Sequence, residues 1–120
     1  MRCTAIVILL ALSSCGYAGY PDFEAKSEAF HLDSTQHTPI QIAECLTTAL
    51  DRTHLPVSRQ TTADEGKTIV LQGGHPGSQP IIQWMAWIKG DSSVDIRSRW
   101  RTDELLQTFE TCTGKRPLPI

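Results

Sequence analysis

The side chains best equipped for chemistry in this chain are its four cysteines and four histidines, and their spacing argues against most of the chemistry they could do. Cys45 and Cys112 are far apart, and neither sits in a CxxC or CxxH pattern of the kind that builds a zinc site. A nucleophilic thiol beside a histidine finds no support in the spacing either. Glu44, Asp51 and His54 are near neighbours in sequence, and Asp51 and His54, three apart, could face each other. A helix C-terminal interaction is the expectation there, with metal ligation the rarer alternative. The stretch GGHPGSQ, Gly73 to Gln79, is glycine-rich but lacks the GKS/T ending of a phosphate-binding loop. It reads as a connection between strands, and one loop histidine, His75, specifies no metal. No Ser-His-Asp set, carboxylate pair or zinc signature stands out. The expectation is a protein with no cofactor, no metal and no enzymatic activity, although catalytic groups converge in space rather than in sequence. The formal net charge of −2 lacks the strongly basic face that nucleic acid requires.

The elements that position these residues begin with TPIQIAECLTTALDR. Thr38 suits an N-cap, Pro39 the first helical position, and Gln41 completes a capping box. Ile42, Cys45, Leu46, Ala49 and Leu50 then form one apolar stripe, and Pro56 stops the helix. A second helix is predicted over TDELLQTFETCTG, with Thr102 as N-cap, Asp103 and Glu104 in its first turn and Gly114 as its stop. Leu105, Phe109 and Cys112 share its inner face. Both cysteines therefore point inward from apolar helix faces, and a disulfide between them would clamp the helices and stabilise the fold by about 4 kcal/mol.

Between the helices, Lys67 to Gln72 reads as a strand, and VDIRSRW, Val94 to Trp100, alternates with Val94, Ile96 and Trp100 on one face. The segment PIIQWMAWIKG fits a helix as well as a strand. Its aromatic and β-branched residues, and the turn-like KGDSS that follows, favour a central strand. VSRQTTADEG, from Val57, holds either an edge strand or a loop. The predicted fold class is α+β: an antiparallel three-stranded meander, four-stranded if the edge strand forms, with two disulfide-linked helices on one face.

The beginning of the chain carries a different signal. Arg2 supplies a positive charge, Thr4 to Leu12 is almost unbroken apolar sequence, and Ser13 and Ser14 are small, the order of a secretory signal peptide. The apolar run is shorter than the ~20 residues of a membrane span. Leu12-Ser13-Ser14-Cys15 resembles the lipobox of bacterial lipoproteins. That resemblance covers only the first fifteen or so residues and implies cleavage before Cys15, with acylation of its thiol and usually of its new amino group. Two or three acyl chains, at about 0.8 kcal/mol per buried methylene, would hold the chain firmly. Gly16, not aspartate, follows the cysteine. In Gram-negative lipoproteins this implies transfer to the outer membrane, facing the periplasm. Such a compartment is oxidising and suits a Cys45–Cys112 disulfide.

Three segments follow from this reading: a signal peptide over 1–14, a lipidated cysteine and tether over 15–37, and a globular domain over 38–120. As a flexible tether, 15–37 would reach roughly 25 Å. In layout alone the domain resembles small αβββα lipoproteins. If the helices cover Trp84 and Ile88, Met85 and Trp87 point the other way, with Arg97 opposite one of them and Arg99 one step along. An exposed cluster of Met85, Trp87, Arg97 and Arg99 has the composition of a protein-binding hot spot, and would equally suit homodimerisation or a self-contained cation–π pair. Two functions are in play. One is a lipid-anchored binding or adaptor module for another envelope protein or for peptidoglycan. The other is a periplasmic inhibitor or immunity-type protein that blocks a hydrolase, which a rigid 73–79 loop would favour.

Overall fold

The computed structural model describes residues 19–75 and 81–120. The lipobox and Cys15 lie outside the described residues, as does most of the 73–79 loop.

Helix α1 spans Tyr20–Lys26 and leads into strand β1, Glu28–Leu32. Helix α2, Pro39–Leu50, forms where its cap dictates. Thr38 Oγ1 accepts the Gln41 backbone N–H at 3.2 Å, and Gln41 Oε1 accepts that of Thr38 at 2.9 Å. Strands β2 (Val57–Ala63), β3 (Thr68–His75), β4 (Ile81–Ile88) and β5 (Val94–Ser98) follow as antiparallel hairpins, then helix α3, Thr102–Thr113, and a two-residue strand β6, Leu118–Pro119. The sheet order is β2-β3-β4-β5-β1-β6, antiparallel throughout.

This corrects the predicted three- or four-stranded meander with two helices: among the described residues the sheet has six strands, and three helices accompany it. The difference comes from the two ends of the domain. The stretch predicted to be a tether supplies α1 and β1, which pairs with β5 through Phe30↔Ile96 and Leu32↔Val94. The C-terminal tail supplies β6 on the far side of β1. Alternation of side chains along the strands gives the sheet two apolar faces. On the inner face, Phe30, Leu71, Trp84, Ala86, Ile88, Val94 and Ile96 pack against Ile42, Leu46, Leu50, Leu105 and Phe109 of α2 and α3. On the outer face, Val70, Ile82 and Met85 pack against Phe23 of α1.

Two further expectations change. Trp100 does not continue the inner row of β5, because the strand ends at Ser98 and the chain turns. Thr102 is not the N-cap of α3. That position is Arg101, at φ 51°, and the Thr102 hydroxyl shares a 3.0 Å hydrogen bond with Ser98 instead. The stop at Gly114 forms as expected, at φ 85° with its N–H on the Glu110 carbonyl.

Two points hold the inner core in register. Trp84 is fully buried, and its indole N–H donates to the Leu55 carbonyl at 3.1 Å. The indole lies so close over Gly73 that a Cβ there would fall 1.9 Å from Trp84 Nε1. Gly73 is therefore needed for close approach, beside a bulge between Gly73 and Gly74. Above this core the Cys45–Cys112 disulfide joins α2 to α3, with the two Cα atoms 5.8 Å apart. Among the described residues no helix is long and apolar enough to cross a membrane.

Candidate functional site

The outer sheet face was the expected partner surface, and its geometry follows from α1. Pro21 lies in the first turn of this helix, an Asp22–Lys26 pair at 3.1 Å spans one turn, and Phe23 is its one buried residue. Seven residues are too few for a helix to persist alone, so tertiary contacts hold it. Phe23 fills the gap between Val70, Ile82 and Met85.

Met85, expected to be exposed, is fully buried as a result. Trp87 is half-buried, with the Tyr20 ring edge-on at 6.3 Å and 85°. Arg97 stands opposite Met85 in the register, and its Nη1 donates to the Glu24 carbonyl at 3.2 Å and to Ser27 Oγ at 3.1 Å. Arg99 Nη1 reaches Asp22 Oδ2 at 3.4 Å. The four residues do share one sheet face, but that face receives the chain's own helix rather than standing open. Their arginines hold α1 in place. The Lys26 hydrogen bond is the main influence keeping the Asp22 carboxyl below its usual range, with Arg99 adding to it.

Beside α1 the same face carries a charged network. His31 Nδ1 lies 2.7 Å from Asp95 Oδ1, Lys89 Nζ lies 2.7 Å from Asp95 Oδ2, and His31 Nε2 lies 3.2 Å from Asp33. The hydrogen bond to Asp95 raises the imidazole pKa above its ordinary value, with the charge of Asp33 assisting. Partial burial works to raise that of Asp95, but hydrogen bonds from Lys89 and His31 outweigh it and leave it lowered. The imidazole is flanked by two carboxylates, which suits a latch between β1 and β5 better than a general base. Among the described residues no group of three His, Cys, Asp or Glu side chains is placed to hold a metal ion.

The remaining expected site residues do not converge. Asp51 is the C-cap of α2 through its backbone N–H. Glu44 lines a shallow cleft beside Ile40 and Gln60. Gly73 and Gly74 belong to β3. His54 packs edge-on against Trp100 at 6.2 Å.

That last contact belongs to a cluster the sequence reading did not anticipate. Trp100 is 39% exposed, and the Arg101 guanidinium lies 4.8 Å from its ring centroid, tied to Glu104 Oε1 at 3.3 Å. Arg101 itself is in the left-handed region at φ 51°. Asp64, Glu65 and Ser92 share that conformation in the hairpin turns, and each such residue costs about 1–3 kcal/mol. The cluster stands where the end of α2 meets the start of α3. The available signal was the Arg99-Trp100-Arg101 triplet: cations on both sides of a tryptophan mark a strand end more readily than a core row. No protein family, curated protein or solved structure matches the chain.

Proposed function

We propose that this protein is a lipid-anchored binding module of a bacterial envelope, held at the outer membrane through acylated Cys15, and that it recruits another envelope protein rather than catalysing a reaction. The anchoring half of this reading is supported by the Leu12-Ser13-Ser14-Cys15 motif after a charged and apolar leader. The binding half rests on one observation: Trp100, exposed, stacked by Arg101 and flanked by His54, on a corner of the helical layer. Tryptophan and arginine are the residue types most enriched among interface hot spots. With Met85 buried and Arg97 and Arg99 engaged by α1, this corner replaces the outer sheet face as the candidate contact surface.

The experiment is affinity capture from a native envelope extract with the disulfide intact, comparing the wild type with Trp100→Ala/Arg101→Ala and with Trp87→Ala/Arg97→Ala. One stoichiometric partner lost only with the Trp100 pair supports the reading. Loss only with the Trp87 pair returns the contact to the outer face, and a partner retained by both variants sinks the surface assignment. Cys15→Ser tests the anchor independently: the protein should leave the membrane fraction.

A further inference from the structure

We infer that the outer sheet face lies against the lipid surface, with Leu118 and Ile120 as a second, non-covalent contact, and that the Trp100 corner therefore points away from the membrane. The inference rests on Cys15 being the acylated residue.

The first argument is chain length. The predicted tether of 15–37 would let the domain move freely, but α1 is seated on the sheet from Tyr20 onward. Only five Cα–Cα steps separate Cys15 from Tyr20, which is at most about 18 Å of extended chain. Tyr20 packs on Trp87, so the anchor leaves the domain from the outer face. The leash is too short for the opposite face to be the one held nearest the lipid.

The second argument is independent of the anchor. Leu118 stands opposite His31 in the register, and Ile120 donates its N–H to the Ala29 carbonyl at 3.1 Å. His31 and Ala29 lie opposite Asp95 and Arg97, which places Leu118 and Ile120 on the outer face as well. They are the two most exposed large apolar residues described, at 67% and 83%. Between them and α1 lies a recess of about 380 Å³ lined by Tyr20, Trp87, Lys89, Asp95, Arg97 and Ile120. Tyrosine and tryptophan are the residue types that collect at headgroup level. The recess carries two cations, Lys89 and Arg97, and two carboxylates, Asp64 and Asp95, a balanced charge that suits a zwitterionic headgroup and does not require an anionic membrane.

The test places a photoactivatable benzoylphenylalanine at Leu118 or Ile120 of the full chain, with Ile40 on α2 and Gln107 on α3 as exposed controls. Each variant is irradiated in native membranes and read by mass spectrometry for lipid adducts. The expected result is several-fold more lipid adduct at 118 and 120 than at 40 and 107. Equal yields at all four positions, or a protein adduct at 118 and 120, overturn the inference. The N-terminal mass measured on the same samples separates the two readings. Acylated Cys15 with no adduct preference refutes the orientation alone. Unmodified Cys15 refutes the anchor, and the adduct pattern then judges the lipid contact by itself.

Discussion

Phe23→Ala isolates the role of α1, because Phe23 is the helix's only buried residue. Truncating a phenylalanine in a core that cannot collapse costs about 3–5 kcal/mol. Here a cheaper response exists, since a seven-residue helix has little stability of its own and can detach. The loss is then limited to what holds α1 down. Burial of the Phe23 ring contributes about 1.5–3 kcal/mol, and the exposed, solvent-screened Arg99–Asp22 pair adds little to it. Removing about 2–3 kcal/mol of docking changes the docked-to-undocked ratio by roughly a hundredfold. Two assays read this directly. Amide exchange should accelerate across residues 20–26 while the core amides of α2 and α3 stay protected. Met85, fully buried in the wild type, should become oxidisable to the sulfoxide by dilute peroxide. Phe23→Leu should fall between the two. If Met85 stays protected and exchange over 20–26 is unchanged in Phe23→Ala, this ring does not hold the helix and the account of the covered outer face is wrong.

Three other perturbations probe separate parts of the fold. Cys45→Ser opens a loop whose ends are 67 residues apart in sequence and should cost about 4 kcal/mol, seen as a lower melting temperature; a wild type alkylated at Cys45 or Cys112 in denaturant without reductant would contradict the bond. Gly73→Ala forces a methyl into the Trp84 indole and threatens its hydrogen bond to Leu55, so a urea midpoint should show a loss of about 3 kcal/mol or more; a neutral result would mean that Trp84 does not pack there. For His31→Asn, urea midpoints across pH should show a gap from wild type that is widest below pH 6.5, the ordinary value of the group, and closes as pH rises through its raised pKa. The same gap should shrink again in acid as pH falls through the lowered pKa of Asp95, and a gap independent of pH would refute the latch.

The middle of the domain was legible in the sequence because local and tertiary preferences agree there. Thr38, Pro39 and Gln41 fix the start of α2 through bonds made within four residues. The apolar stripes of α2 and α3 brought Cys45 and Cys112 to facing helices before any coordinates were needed. Residues 81–88 were ambiguous because β4 is buried on both faces, which erases the alternation that separates strand from helix. The ends of the domain were not legible for the opposite reason. Strand β1 contributes only Phe30 and Leu32 to the core, α1 contributes only Phe23, and β6 is two residues long. Each forms because a partner surface already exists, and no window of its own sequence declares it. The same omission left the expected partner surface drawn as open. Assigning Met85 and Trp87 to the outer face was right, but their exposure depended on what covers that face, and α1 lay in the stretch expected to be a tether.

The sheet order also constrains how a partner could be recognised. β1 enters the sheet beside β5, and the C-terminal β6 closes over it, so the first and last strands of the domain are neighbours at one edge. That edge is poor for strand addition. It is two residues long, and Pro119 offers no N–H to an incoming chain. The longer edge, β2, carries a register shift at its start, between Val57 and Arg59, which leaves only residues 59–63 in regular register on that side. Main-chain pairing is therefore disfavoured at the β6 edge and confined to residues 59–63 at the other. On the reading of the outer face as the lipid side, that surface is withdrawn as well. On the helical layer the disulfide joins α2 to α3, and His54, in the turn after α2, packs against Trp100, which with Arg101 leads into α3. Reducing the bond should then weaken partner capture at the proposed Trp100 contact even where the fold survives, because that contact joins the segments after α2 and before α3, two helices that the disulfide links.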